Sequence, residues 1–196
     1  MGNELNGLRV AILVTDGFEQ VELTVPREAL HRLGAATDLI SPDPGEVQGY
    51  HHDEKGDKFP VDVTLDLVKA AQYGALLLPG GVANPDRLRT IPGAVQFTND
   101  FVLQDKPIAA ICHGPWLLVE SGIVRGRTLT SWPSLKTDVR NAGGIWVDQD
   151  VVVDHGLVTS RKPDDLPAFT EKMIEVFRTA MLRRNTVQRE LEARAR

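Results

Sequence analysis

Short apolar runs rich in β-branched residues alternate along the chain with stretches of helical periodicity. Residues 9–14 form the first apolar run, and residues 22–33 then show a helical pattern that Gly34 ends. A second apolar run covers Ala36–Ser41. Because strands joined through helices pair in parallel and are covered on both faces, this pattern predicts an α/β fold with a mainly parallel sheet.

The middle of the chain combines buried strands with turn-rich loops. Residues 47–63 form a polar stretch with two glycines and a proline, which predicts a hairpin or an excursion from the sheet. We expect a helix over 64–71. Residues 75–78 form a short apolar run that a Pro-Gly-Gly sequence stops, as is typical of a central strand. The next helix is expected over 92–104.

The second half of the chain repeats this alternation. A strand over 107–111 and a helix over 116–121 meet at a single cysteine, and a long helix is expected to begin at Pro163 and to run beyond Phe177. Further short strands are expected over 128–131, 144–147, 151–153 and 157–160, with a helix over 134–142. Residues 183–196 carry many Arg and Glu residues and are expected to form a solvated helical extension or a frayed tail.

The cysteine, Cys112, lies where a strand is expected to turn sharply into a helix. A nucleophile on such a turn needs a small residue nearby, and Gly114 follows two positions later. The helix N-terminus would favour the thiolate, so we expect a lowered thiol pKa and easy oxidation. The alternative is a small buried thiol without a chemical role.

Other groups with catalytic potential converge on the same edge of the predicted sheet. His113 follows the cysteine, although adjacent side chains on a tight turn often point apart. Gly80 and Gly81 end the neighbouring strand, where exposed N–H groups would form an oxyanion hole. Glu19 and Glu22 lie at the start of the first helix, and either could reach the thiol. Each feature also has a structural explanation, in a satisfied histidine, a loop with positive φ or favourable helix-dipole charges.

Composition narrows the functional classes. The 196 residues carry a formal net charge of −5, which gives no basic surface for nucleic acid. No apolar run approaches the roughly 20 residues of a membrane span, and the first residues lack a signal pattern, so we expect a cytoplasmic protein with no membrane partner. A lone cysteine excludes an intramolecular disulfide and a multi-cysteine zinc site. We expect one domain over 1–196, with a core from about 8 to 180.

Several motifs in a fixed order resemble the ThiJ/PfpI superfamily. The resemblance covers about residues 9–177 and is closest to the PfpI branch, which comprises intracellular cysteine peptidases and stress proteins with deglycase or glyoxalase activity. The matching residues are Glu22 with Pro26, Leu78-Pro79-Gly80-Gly81, Ala110-Ile111-Cys112-His113-Gly114-Pro115, Thr130-Ser131-Trp132 and Asn141-Ala142-Gly143-Gly144. The resemblance implies a flavodoxin-like three-layer sandwich with a nucleophile elbow, as in class I glutamine amidotransferases.

The resemblance also implies roles for individual residues. Cys112 matches the family nucleophile, and His113 matches the histidine that follows it. Glu22 matches the glutamate that hydrogen-bonds the sulfur, with Glu19 as second choice, and a protonated Glu22 would have a raised pKa. Asp86 stands where the PfpI branch takes an acid from a neighbouring subunit to orient the histidine, although this segment is one residue longer and the acid is Asp. The implied protein is therefore at least a dimer.

One further match and three alternatives complete the candidate site. Trp132 occupies a pocket-lining aromatic position of the family. Glutamine amidotransferase activity needs a downstream His-x-Glu pair, whereas His155 is followed by Gly and Leu. The acidic and histidine residues 51–54 are consecutive and do not easily converge on one metal ion. The first strand is not followed by Gly-x-Gly-x-x-Gly, which argues against a dinucleotide. We expect no cofactor and no metal.

The resulting hypothesis is a cysteine-dependent stress hydrolase that acts on glyoxal-type carbonyls or glycated protein adducts. The thiolate of Cys112 would add to an electrophilic carbonyl, and His113 would move the proton. One alternative is an intracellular cysteine peptidase with peptide substrates. The other is a stress protein without turnover, in which Cys112 senses oxidants or the chain acts as a chaperone. The expected partners are a small carbonyl compound, a glycated protein or a peptide, and further copies of the chain.

Overall fold

A seven-stranded sheet lies at the centre of the computed structural model, which describes residues 3–194 apart from the side chain of residue 188. The strands are β1 (Arg9–Leu13), β2 (Phe18–Glu19), β3 (Ala36–Ser41), β4 (Glu46–His51), β5 (Glu54–Pro60), β6 (Val63–Thr64), β7 (Ala75–Leu78), β8 (Ile108–Ile111), β9 (Thr128–Leu129), β10 (Ile145–Trp146), β11 (Val151–Asp154) and β12 (Leu157–Ser160). The helices are α1 (Gln20–Arg32), α2 (Ala83–Leu88), α3 (Pro92–Leu103), α4 (Pro115–Glu120), α5 (Lys136–Asn141) and α6 (Leu166–Arg194).

The strand order across this sheet is β11-β12-β8-β7-β1-β3-β6, and all of its pairs are parallel except β11 with β12. The central strands β7 and β8 are buried at every position, which explains why their sequences are continuous apolar runs. Leu78 pairs with Ala110, so the carboxyl ends of these two strands lie side by side. Parallel strands carry ligand sites at that edge.

Helices cover both faces of the sheet and make a three-layer α/β fold, as the sequence predicts. On one face α6 packs through Phe169, Met173 and Phe177, which are spaced four residues apart and are fully buried beside α1. On the other face Phe97 and Phe101 of α3 lie in a second apolar cluster together with α4 and α5. Each buried side chain of this size contributes roughly 1.5–3 kcal/mol.

Between residues 47 and 63 the chain leaves the central sheet, as predicted. Strands β4 and β5 form an antiparallel hairpin with an irregularity between Gln48 and Tyr50, and β2 pairs in parallel with β4. This small sheet places the hairpin next to the segment that joins β1 to α1.

The helix expected over 64–71 is wrong. The chain forms the edge strand β6 and then two short 3-10 helices, Leu65–Leu67 and Ala70–Gln72. Between them Val68 and Lys69 are extended, with φ of −121° and −129°. Two consecutive extended residues interrupt helical hydrogen bonding, so no continuous helix forms here.

The chain ends in one long helix that starts from a 3-10 turn at Pro163–Asp165. The charged stretch expected to be a helical extension continues α6 to Arg194, and the side chains described over 183–194 are exposed. The last two residues of that stretch lie outside the described residues. Among residues 3–194, no helix combines the length and the apolar character needed to cross a membrane.

Candidate active site

Cys112 occupies a strained backbone turn between β8 and α4. Its φ is 61°, in the left-handed region that few residues other than glycine adopt. Hydrogen bonds hold this conformation from both sides: the Cys112 N–H donates to the Ser160 carbonyl at 3.0 Å, and the Cys112 carbonyl accepts from the Trp132 N–H at 2.8 Å. The strand–turn–helix nucleophile elbow predicted from the sequence is therefore confirmed.

Two glycines make this turn sterically feasible. A Cβ atom at Gly114 would lie 2.5 Å from the Leu78 carbonyl oxygen. A Cβ atom at Gly80 would lie 2.6 Å from the Cβ of Cys112 and 2.7 Å from Oε2 of Glu22. All three distances are shorter than real contacts allow, so any side chain at either position would force the loops apart.

Glu22 reaches the thiol from α1 and is fully buried. Its Oε2 accepts a hydrogen bond from the Gly80 N–H at 2.7 Å, and the carboxyl group interacts with the Cys112 thiol. Its Oε1 has no N–H or O–H donor among the described residues. Burial raises the pKa of Glu22 to about 8, and Glu19 adds to this, whereas the Gly80 N–H and Cys112 lower it. Glu22 is therefore mainly protonated at neutral pH, as the sequence analysis expected.

Cys112 is buried, with 6% of its surface exposed, and this burial raises the pKa of its thiol above the ordinary value. An ionised Glu22 carboxylate would raise the pKa further, while the backbone N–H groups of Gly81 and His113 donate to the sulfur and lower it. The lowered thiol pKa expected from the sequence is therefore wrong for this geometry. Helix α4 has only six residues, and desolvation outweighs the donors at its N-terminus.

His113 lies against the thiol rather than pointing away from it. Its Nδ1 is 3.2 Å from Sγ of Cys112, and its Nε2 is 3.4 Å from Oγ of Ser134. Burial lowers the pKa of His113 to about 4, so the ring is neutral at pH 7. A neutral imidazole beside a thiol is able to accept its proton.

Two tryptophans hold the His113 ring. Trp132 stacks on it with ring centroids 5.6 Å apart, and Trp116 lies at 5.2 Å with the rings tilted. Trp132 is 37% exposed, so it forms an outer wall next to the histidine. The structure thus brings Cys112, His113, Glu22, Gly80, Gly81 and Trp132 to one place.

The two remaining acidic candidates lie apart from the thiol. Asp86 is exposed on α2, and within residues 3–194 its carboxylate forms no hydrogen bond or ion pair. Glu19 is turned toward the β4–β5 hairpin, where its Oε2 accepts from the His52 N–H at 3.0 Å. Glu22, the first choice, is therefore the carboxyl group next to the sulfur.

Sequence reasoning missed Asn84 and Ser134. Asn84 is fully buried, and its side-chain amide bonds to the backbone of Thr15, Pro79 and Gly80. Its signal was a polar residue three positions after the glycine pair that ends a central strand, where side chains often bind backbone groups. Ser134 had no distinctive signal in the sequence, because folding of the chain is what brings it next to His113.

Residues 51–54, weighed as a metal site, lie at the β4–β5 turn. Within the described part of the chain, no group of three or more His, Cys, Asp or Glu side chains is arranged to hold a metal ion.

Comparison with known proteins adds an independent finding. The sequence pattern of the DJ-1/PfpI family matches residues 8–176. Protein/nucleic acid deglycase 2 of Escherichia coli (strain K12) is 44% identical to the chain over 172 residues, which cover 86% of this chain and 97% of that protein. A Bacillus subtilis (strain 168) protein provisionally named cysteine protease YraA is 39% identical over 171 residues, covering 87% of this chain and 98% of that protein.

A solved structure shows the same architecture. It is a two-domain protein from Anabaena variabilis with DJ-1/ThiJ/PfpI-like and ferritin-like domains, and it matches with a TM-score of 0.80 at 32% identity. The match covers 86% of this chain and 47% of that protein, so the chain spans about half of its length.

Proposed function

Because the chain belongs to the DJ-1/PfpI family, we propose that it is a cysteine-dependent stress-response hydrolase of the PfpI type, acting on glyoxal-type carbonyls or their protein adducts. The observation that carries the proposal is the 3.2 Å contact between Sγ of Cys112 and Nδ1 of His113, beside a buried carboxyl group. The Escherichia coli relative, named as a deglycase, supports the same chemistry.

Methylglyoxal illustrates the first reaction step. The sulfur of Cys112 adds to the aldehyde carbon and forms a C–S bond while the π bond of the carbonyl breaks. The thiol proton passes to His113 and then to the new alkoxide oxygen, which gives a hemithioacetal with every atom retained. Since the thiol is protonated at rest and His113 is neutral, proton transfer accompanies the attack rather than preceding it.

The second step is an isomerisation. A base removes the hydrogen from the carbon that bears sulfur and returns it as a proton to the neighbouring ketone carbon, while the hydroxyl proton of the hemithioacetal passes to the ketone oxygen. The first carbon is thereby oxidised to a thioester and the second reduced to an alcohol, so no external oxidant is needed. Water then cleaves the thioester, which releases lactate and restores the thiol.

Backbone donors beside the sulfur stabilise the developing oxyanion in this proposal. The N–H groups of Gly81 and His113 point at the sulfur, so they lie next to the position of an oxygen on the attacked carbon. The N–H of Gly80 already donates to Glu22. Of the two glycines expected to form the oxyanion hole, Gly81 takes the donor role and Gly80 orients the glutamate.

We further propose that the protein works as a homo-oligomer in the cytoplasm. Asp86 is exposed and is not a partner of His113 within its own chain, which leaves it available to a second copy. Two-fold assemblies bury the same patch from both chains, and a residue near the axis then serves the neighbouring site. A reducing compartment keeps a lone thiol in its active form.

Glycated nucleic acid is a second class of substrate to test. The name of the Escherichia coli relative includes nucleic acid as well as protein. The net charge of −5 disfavours long polyanions, so small carbonyls and glycated proteins remain our proposal. Glycated nucleotides belong in the substrate panel as the comparison.

The decisive experiment compares two reactions in wild type and in Cys112→Ala. Methylglyoxal consumption is followed together with lactate formation, and peptide hydrolysis is followed through release of a fluorescent amine. We expect lactate formation by the wild type only. Amine release without lactate would instead establish the peptidase alternative, which the Bacillus subtilis relative's name favours. Equal rates in both proteins for both reactions would leave the redox-sensor or chaperone hypothesis.

Peptide hydrolysis makes a further demand on this site. Cleaving an amide requires protonation of the leaving nitrogen, whereas addition to an aldehyde does not. His113, with a pKa lowered to about 4, holds a proton only after taking it from the thiol. Carbonyl chemistry is therefore the less demanding use of this pair.

A further inference from the structure

The side chain of Asn84 binds three backbone groups at the ends of two adjacent strands. Its Nδ2 donates to the Pro79 carbonyl at 2.9 Å and to the Gly80 carbonyl at 3.1 Å. Its Oδ1 accepts from the Thr15 N–H at 2.8 Å. The amide is fully buried, and both of its N–H groups and its oxygen are engaged.

The two carbonyls that Asn84 holds belong to two of the peptide groups whose N–H groups serve the active site. The Pro79 carbonyl and the Gly80 N–H form one peptide plane, and that N–H donates to Oε2 of Glu22 at 2.7 Å. The Gly80 carbonyl and the Gly81 N–H form the next plane, and that N–H donates to the sulfur of Cys112. Asn84 thus binds the carbonyl side of both donating peptide groups.

Peptide planarity makes this arrangement consequential. In a trans peptide the C=O and N–H bonds point in opposite directions within one rigid plane, so fixing the carbonyl also fixes where the N–H points. Two successive glycines have wide conformational freedom, and Gly81 has a φ of 73°. The direction of both N–H bonds therefore has to be fixed by a group outside the loop, and the hydrogen bonds from Asn84 to the two carbonyls fix it.

We propose that Asn84 is a positioning residue that sets the reactivity of Cys112 by holding the two peptide planes that donate to Glu22 and to the sulfur. Its importance for turnover rests on the proposed function, while its effect on the thiol does not. Asparagine suits the position because it offers two donors and one acceptor without charge. Aspartate would present oxygen to two carbonyls, and leucine would leave all three backbone groups unpaired.

Alkylation of the native full-length protein tests this directly, because Cys112 is the only cysteine. Rates with iodoacetamide are measured against pH for wild type, Asn84→Ala and the control Thr98→Ala. Thr98 is equally buried, and its hydroxyl donates to the Ala94 carbonyl within α3 at 2.8 Å. Loss of an aimed donor to the thiolate should slow alkylation of Asn84→Ala about tenfold at pH 8 and move its inflection to higher pH. Thr98→Ala should follow the wild-type profile.

A folded Asn84→Ala protein with the wild-type alkylation profile would overturn the proposal. If that variant does not fold, Asn84→Ser decides, since its hydroxyl donates to a single carbonyl and should give an intermediate shift. A wild-type profile in Asn84→Ser would likewise refute the idea. Amide hydrogen exchange of the wild type needs no variant. Slow exchange at both Gly80 and Gly81 is expected, and fast exchange at either would contradict the positioning of these two peptide groups by Asn84.

The outcome is separable from that of the proposed function, because alkylation needs no substrate. If the wild type makes no lactate from methylglyoxal, the proposed function fails and the alkylation profiles still decide the role of Asn84. If the wild type is active, Asn84→Ala should lose kcat at least tenfold with little change in KM, as expected when a group acts mainly on the transition state. A change confined to KM would contradict positioning of the nucleophile.

Discussion

Nδ1 of His113 lies 3.2 Å from Sγ of Cys112 although the two residues are neighbours in the chain. In an extended strand their side chains would point to opposite faces. The left-handed φ of 61° at Cys112 turns both toward the same side, and Trp132 packs against the imidazole from outside. The strained turn therefore creates a thiol–imidazole pair that is uncharged at neutral pH.

Glu22→Gln should make the folded protein more stable than the wild type, and this gain should grow as pH rises from 4.5 to 8. The pKa of Glu22 is raised from an ordinary 4.5 to about 8, so over this range the unfolded chain loses a proton that the folded chain keeps. The wild type therefore loses stability as pH rises, by up to about 1.4 kcal/mol per pH unit, and the glutamine does not titrate. Urea unfolding of both proteins at several pH values measures the difference.

The same variant should change thiol reactivity at alkaline pH. Glutamine supplies an oxygen for the Gly80 N–H and an N–H for the sulfur, where the protonated glutamate supplies an oxygen and an O–H. Above pH 8 the wild type carries a carboxylate that opposes thiolate formation, so Glu22→Gln should be alkylated several-fold faster there. Slower alkylation of the variant across the whole range would contradict a protonated Glu22.

Trp132→Ala should move the acid limit of activity to higher pH. Burial holds the pKa of His113 at about 4, well below its ordinary 6.5, and the stacked indole provides part of that burial. Exposing the ring allows it to take up a proton at higher pH, and an imidazolium does not accept the thiol proton. As pH is lowered, kcat of the variant should therefore begin to fall between pH 6.5 and 4, at a higher pH than kcat of the wild type. An unchanged profile would show that Trp132 does not control the histidine.

Gly80→Ala should disrupt the site, whereas Gly93→Ala should not. A Cβ at position 80 would lie 2.6 Å from the Cβ of Cys112, but the nearest atom to a Cβ at position 93 is 3.7 Å away. We expect Gly80→Ala to lose activity and at least about 2 kcal/mol of stability through overpacking. Gly93 lies in α3 with ordinary φ, so alanine there should be neutral or slightly stabilising. Thermal melts and methylglyoxal turnover compare the two.

Asp86→Asn tests the proposed contribution of a second subunit. If Asp86 orients the histidine of a neighbouring chain, the variant should lose kcat about tenfold or more and keep its oligomeric state. Asp66 is an exposed aspartate beside β6, and Asp66→Asn serves as the control. A monomer in light scattering at micromolar concentration would remove the second subunit from the mechanism.

The hydrophobic pattern predicted most strands of the central sheet, the longer helices and their layered packing. Ala36–Ser41 and Leu157–Ser160 are strands over the predicted ranges, because apolar, β-branched runs between turn residues leave few alternatives. The elbow at Cys112 was likewise predictable, since a strand and a helix separated by a few residues and a glycine permit only a sharp turn. The helix expected over 64–71 failed because β-sheet pairing at β6 and extended backbone at Val68 and Lys69 outweighed local propensity.

Only the tertiary structure decided how the site residues are protonated and which backbone groups serve them. The sequence placed Cys112 near a helix N-terminus and so predicted a lowered thiol pKa, but burial among β7, α1 and the Pro79–Gly81 loop raises it. The role of Asn84 was equally hidden, because its three partners lie 4, 5 and 69 residues away in sequence. Desolvation and long-range hydrogen bonding depend on what packs around a group, and a linear pattern of residue types does not contain that information.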